Sequence, residues 1–296
     1  MMTGGNNSSM KAVWISLISN ILLTALKLIV GMLANSQVLI ADGVHNAGDV
    51  IATMAALSSM RISKRPADED HPYGHGKAEV LGSGIVAVIL GLAAVYIGYH
   101  AVLAFFEEPG EASLLALAAA IVSVVWKQWL YMYTIRIGKK ENSKGLIATA
   151  YDHLADVYAS VAAVIGIGLA LIGDAYDIHI LTYGDPAAGI IVSILVMKLA
   201  YHMALEAIDI LMEKAVDAGK LNEYKTLVES IPQVKRIDRI RAREHGHYIL
   251  VDVRVSVPGE LSIQQGHDIS RSIKKAIMDR HQEVDEVLIH LNPWYK

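Results

Sequence analysis

The sequence predicts an all-α membrane bundle of six helices over residues 1–212, followed by a small cytoplasmic α+β domain over 213–296. Three observations predict this division. Hydrophobic side chains make up 53% of the chain and the mean hydropathy is +0.38, more than a chain can carry when its surface must be covered with charge. Six runs approach the length of about 20 predominantly apolar residues that one crossing of the hydrocarbon core requires. From Glu213 onward Lys, Arg, Asp and Glu recur every few residues and apolar runs shrink to strand length.

The six runs extend roughly from Ala12 to Ala34, Val38 to Met60, Val80 to Phe106, Ser113 to Ile137, Leu146 to Ile172 and Pro186 to Ile210. Basic residues near helix ends are retained on the cytoplasmic side. Lys11, then Arg61, Lys64, Arg65 and Lys77, then Arg136, Lys139, Lys140 and Lys144 fall before helix one and after helices two and four. The opposite loops hold no Lys or Arg: they read Ala34-Asn35-Ser36-Gln37, Glu107-Glu108-Pro109-Gly110-Glu111, and a stretch carrying Asp174, Asp177 and Asp185. Both termini and the soluble tail are therefore expected in the cytoplasm, with the bundle in the inner membrane. The first ten residues lack the charged-then-apolar order of a signal peptide, so helix one is expected to persist. The chain has no cysteine, which excludes disulfides and thiolate metal sites. A net charge of −4 argues against a nucleic-acid partner.

A carboxylate at the centre of a membrane helix costs about 2.5 to 3.5 kcal/mol on insertion scales, so each one calls for a function or a partner. Helix two carries Asp42, His45, Asn46 and Asp49; helix five carries Asp152, His153 and Asp156. Residues four apart lie about 40° apart on a helix, one turn along. His45 and Asp49 thus share a face, as do Asp152 and Asp156. Asp42 falls on the same stripe, where it could orient a ligand. Helix two runs inward and helix five outward, which sets Asp49 and Asp156 at similar depth near the midplane. Imidazole and carboxylates meeting there suit a tetrahedral ion such as zinc, at bonds of about 2.0 to 2.2 Å. Asp152 is favoured as the first ligand of helix five, with His153 as the alternate. His100 and His202 have no partner at ligand spacing.

The loop after helix two packs Asp68, Glu69, Asp70, His71 and His75 into eight residues, a composition that fits a metal clip. The tail reads as helix (Ala218 to Ile231), strand (Val234 to Arg243), strand (Tyr248 to Val257), helix (Ile263 to Arg280) and strand (Val284 to Leu291), an αββαβ order of ferredoxin-like or metallochaperone-like type. In the second strand Ile249, Val251, Val253, Val255 and Val257 alternate inward, leaving Asp252 and Arg254 on the other face. Val287, Ile289 and Leu291 alternate likewise, with His290 and Asn292 outward. His245 and His247, in the turn before the second strand, are further candidate ligands, with a plain surface histidine the favoured reading for His245 and for His281.

The paired ligands of helices two and five, the loop His71-Pro72-Tyr73-Gly74-His75-Gly76-Lys77-Ala78-Glu79 and the tail together resemble the cation diffusion facilitator family of divalent metal/proton antiporters. The resemblance covers nearly the whole chain. It implies a secondary transporter in a homodimer, exporting metal from the cytoplasm across the lipid bilayer with protons as counter-ion. It carries His45, Asp49, Asp152 and Asp156 to the transport site, and Asp68, His71 and His75 to a loop site. Lys77 takes the family's charge interlock, facing Glu213. Metal on the tail, as a regulator, falls to Asp238, Asp252, His267 and His290. Zinc is the expected cargo, because imidazole suits it; manganese, iron(II) or cobalt are alternatives, since the set is rich in carboxylate and Asp152 stands where zinc members place His, although His45 stands where manganese members place Asn or Asp. Two rival classes are a metal sensor that does not transport and a membrane-embedded metal-dependent hydrolase, but no His-Glu-x-x-His or comparable signature supports the latter.

Overall fold

A computed structural model describes residues 5–63, 65–107, 113–140 and 144–295. Lys64 and the acidic loop 108–111, both used above for orientation, lie outside the described residues. Six long helices come first: α1 (Gly5–Leu33), α2 (Gln37–Ser63), α3 (Lys77–Leu103), α4 (Leu114–Lys140), α5 (Lys144–Tyr176) and α6 (Gly184–Leu211). Five of them contain stretches long and apolar enough to cross a membrane. The sixth, α2, has matching length and carries the polar series Asp42, His45, Asn46 and Asp49.

The chain forms two compact units. The first comprises residues 1–55 and 85–203, and the second 56–84 and 204–296. The second unit therefore takes the ends of α2, α3 and α6 and the intervening loop together with the tail. In the first unit Leu39, Leu90, Ala120, Ala163, Ile167, Val192 and Val196 form a dry interior. Leu22, Ile29, Leu92, Tyr96 and Ile194 stay exposed on the outside, the surface a bilayer would cover. Close approach of α2 and α3 depends on Gly48. A Cβ there would lie 2.4 Å from Leu90 Cδ2, so any larger residue would have to displace the Leu90 side chain.

In the second unit the tail contains α7 (Ala218–Glu229), β1 (Arg236–Glu244), β2 (Ile249–Pro258), α8 (Ile263–Arg280) and β3 (Val284–Trp294). The expected order holds, with boundaries moved by a few residues. Strand order is β1-β2-β3, β1 antiparallel and β3 parallel to β2, so α8 is the crossover between parallel strands. The alternation in β2 was legible: Ile249, Val251, Val253, Val255 and Val257 are buried against Tyr224, Val228, Ile269, Ile273 and Ile277 of the helices. Asp217 caps α7, and Ser262 with Gln265 forms a capping box on α8. His281 departs from its reading as a surface residue. It is buried at 8% exposure, edge-on to Tyr224 and near Glu223 and Glu283.

The loop is seated on the β1–β2 turn by close backbone contact. A Cβ on Gly76 would sit 2.0 Å from the His245 carbonyl oxygen, and one on Gly246, whose φ is +78°, would sit 2.1 Å from the Gly76 carbonyl oxygen. Tyr248 Oη donates to the Tyr73 carbonyl beside them.

Candidate metal centre

In the first unit α2 and α5 bring His45, Asp49 and Asp156 together, one ligand atom from each lying within 4.8 Å of the others. His45 Nε2 stands 3.2 Å from Asp156 Oδ1. Among the described residues its buried Nδ1 has no hydrogen-bond partner. The Asp49 backbone carbonyl accepts from Thr53 Oγ1 at 2.7 Å, locking the next turn of α2. One imidazole and two carboxylates, almost removed from solvent, form a three-ligand set that a divalent cation can complete with further oxygen ligands.

The other expected ligands take different positions. Asp152 is exposed, one turn before Asp156, and stands outside the three-residue group. His153 is buried, but its Nε2 pairs with Ser16 Oγ at 3.0 Å and its Nδ1 is 3.9 Å from Asp156 Oδ2. The fourth ligand expected from α5 thus stands outside the group. Asp42, expected to orient a ligand, is instead engaged by groups of α1 and α5. Its carboxylate is held by Lys27 Nζ at 2.7 Å, with both side chains fully buried, and accepts from Ser160 Oγ at 2.8 Å. Lys27 also donates to Ser160 at 3.0 Å, and Ser160 meets Ser123 Oγ at 3.1 Å.

Two lysines missing from the sequence reading complete the centre. Lys27 of α1 neutralises Asp42, and Lys127 of α4 places its Nζ 2.5 Å from Asp156 Oδ2 and 2.8 Å from Asn20 Oδ1. The signal was present: each is a lone charge inside an apolar run, where a cation is rare and must find a partner. The repulsion expected between clustered carboxylates is relieved by these ammonium groups as well as by any cargo.

In the second unit the loop residues converge. Asp68, His71 and His75 place ligand atoms within 4.8 Å of one another, and the two imidazole rings lie 4.4 Å apart. Asp68 accepts from the His71 backbone N–H at 2.7 Å, which holds its carboxyl below the ordinary carboxylate range and keeps it charged for a cation. Lys77 Nζ meets Glu213 Oε1 at 2.5 Å, the pair expected as an interlock, and Arg243 Nε meets Glu213 Oε2 at 2.5 Å. Partial burial pushes the Glu213 carboxyl up, but the hydrogen bond and charge of Lys77 and the charge of Arg243 outweigh it and hold it low.

The four tail residues do not form such a group among the described residues. Asp238 sits at a bulge of β1, accepting from Asn292 Nδ2 and Ser256 Oγ, each at 2.8 Å, and from Arg236 Nε at 2.7 Å. Those bonds hold its carboxyl below the usual range. His290 reaches it only through Asn292, at 3.1 Å from Oδ1. Asp252 pairs with Arg243 at 2.9 Å and shares a recess with Arg239, Arg241 and Arg254, a setting that repels cations. His267 is exposed on α8.

Comparison with known proteins finds two family models matching along the chain. The cation efflux transmembrane domain matches residues 13–212, and the cytoplasmic domain of cation efflux proteins matches 216–294. The chain is 48% identical over 288 residues to the manganese efflux system protein MneP of Bacillus subtilis, covering 97% of each chain. It is 33% identical to the manganese efflux system protein MneS of the same organism, covering 94% of this chain and 93% of that one. It is 32% identical to the uncharacterized transporter MJ0449 of Methanocaldococcus jannaschii, covering 95% and 97%. The chain belongs to the cation diffusion facilitator family, multi-pass membrane proteins that move divalent metal cations out of the cytoplasm.

Proposed function

We propose that this protein exports manganese(II) from the cytoplasm, binding it at His45, Asp49 and Asp156 and exchanging it for protons. The observation that carries the reading is the ligand set itself: two carboxylates and one imidazole at one point inside the bundle. Oxygen-rich coordination favours manganese, whereas zinc gains most from additional nitrogen or sulfur ligands. The manganese efflux function in the names of MneP and MneS supports the same cargo. Manganese therefore replaces zinc, the cargo expected from the imidazole alone.

Proton coupling follows from the ligand chemistry. Carboxylates must be deprotonated to bind a cation, so proton and metal compete for the same atoms. When the centre opens to an outside richer in protons, exchange releases the ion; when it opens inward, metal displaces protons again. Asp152 is proposed to join the ligands once cargo is bound, since a side chain at the helix surface one turn away needs only a rotamer change to approach. Both termini are proposed to be cytoplasmic and the working unit to be a homodimer through the tail. Asp68, His71 and His75 form a second, exposed site on the cytoplasmic side that would sample metal before the membrane centre does.

The test is manganese uptake into proteoliposomes carrying the full chain under an imposed pH gradient, with zinc measured in parallel. Manganese flux that collapses in Asp49→Ala supports the reading. Absent manganese flux, or flux unchanged in Asp49→Ala, contradicts it. His45→Asn tests the role of the imidazole: residual zinc transport is expected to fall more than manganese transport.

A further inference from the structure

Lys127 is not a ligand, yet it lies at the centre. Its side chain is wholly buried, and its Nζ joins Asn20 Oδ1 on one side to Asp156 Oδ2 on the other. The second oxygen of Asp156 faces His45. Both oxygens of this carboxylate are thus engaged by protein groups. A divalent ion shared by His45, Asp49 and Asp156 must either take the oxygen that Lys127 holds or sit against its positive charge, which is unfavourable inside the bundle.

We propose that Lys127 is a tethered cation that holds Asp156 while the centre is empty and withdraws onto Asn20 when the divalent ion enters. This rests on the transport reading above. Asn20 makes the exchange possible, because its carbonyl oxygen already accepts from the ammonium and remains when Asp156 is given up. Lys27 cannot substitute, since it is committed to Asp42 and Ser160. The formal charges give Asp152 a part. With Lys127 charged, a divalent ion on Asp49 and Asp156 leaves one positive charge in surplus, and Asp152 moving in from the preceding turn would cancel it. The tethered cation thereby weakens resting affinity, avoids leaving Asp156 bare after release, and makes closure of Asp152 part of loading.

The experiment is manganese titration of the full chain in lipid nanodiscs at alkaline pH, read by calorimetry, with His71→Ala and His75→Ala present throughout so that the loop site does not contribute. Lys127→Met should bind manganese at least about tenfold more tightly, because the competitor is gone, while Lys127→Arg should stay within about threefold of the starting protein. Unchanged or weaker binding in Lys127→Met overturns the proposal; a lysine needed only to hold the bundle together would give that weakening. Should Lys127→Met fail to assemble, Asn20→Leu tests the same claim from the other side. Loss of the withdrawal site should weaken binding, and equal or tighter binding would overturn the proposal. Absence of manganese binding in the starting protein, or its persistence in Asp49→Ala, would overturn the transport reading instead.

Discussion

Acids and histidines collect in both the membrane bundle and the tail, and the two regions use them differently. In the bundle His45, Asp49 and Asp156 converge, and the charges that would otherwise oppose this are met by Lys127 and, one layer away, by Lys27 on Asp42. In the tail Asp238 is occupied by Ser256, Asn292 and Arg236, and Asp252 by Arg243. The difference lies in the partners. A carboxylate held by one ammonium and one imidazole can still exchange that ammonium for an ion. One saturated with short hydrogen bonds, or surrounded by guanidinium groups, has little to offer a cation.

The largest effect that would break this comparison is at the buried pair of the bundle. Lys27→Met leaves Asp42 charged and unpaired beside Ser160, and removing one member of a buried pair costs about 3 to 5 kcal/mol. The expected outcome is a much lower thermal midpoint of the purified protein, with recovery in Lys27→Met combined with Asp42→Leu. Loss of stability that the double replacement does not restore would separate Lys27 from Asp42.

The next effect concerns where metal binds. Equilibrium dialysis should show one manganese fewer per chain in His71→Ala with His75→Ala, and unchanged stoichiometry in Asp252→Ala. A lost ion in Asp252→Ala would bring the tail face into the metal-binding set and erase the contrast drawn above.

The smallest expected effect is at the interlock. The carboxyl of Glu213 is held below its ordinary value of 4.5, so its contribution is present above that pH and is lost as pH falls through the lower folded value. The pair is partly exposed and contributes at most about 1 kcal/mol. Protection of the amides of β1 and the loop in the full chain, measured as exchange relative to the intrinsic rate at each pH, should fall on acidification below pH 4.5 in the native protein, and Glu213→Gln should flatten that fall. An identical acid profile in the variant would assign the transition to other carboxylates.

Much of this arrangement was legible in the sequence, for physical reasons that also set the limit. Spans reveal themselves because lipid forbids charge over about 20 residues, and β2 because alternate valines face one core. Four-residue spacing correctly put His45 and Asp49 on one face. Spacing cannot show which charge from another helix already occupies a carboxylate. Asp42 therefore read as an aid to the ligands, although Lys27 claims it, and neither Asp152 nor His153 joins the group that Asp156 forms. The same limit hid Arg243, whose bonds to both Glu213 and Asp252 tie the interlock to the sheet.

The central claim is that one imidazole and two carboxylates from α2 and α5 hold the cargo. Pulsed electron paramagnetic resonance of manganese(II) bound to histidine-labelled full chain tests it most directly, in a background of His71→Ala and His75→Ala. The account predicts coupling to a single imidazole nitrogen that disappears in His45→Asn, together with loss of the bound ion in Asp49→Ala. A bound manganese showing no imidazole coupling, or coupling that survives His45→Asn, would contradict it.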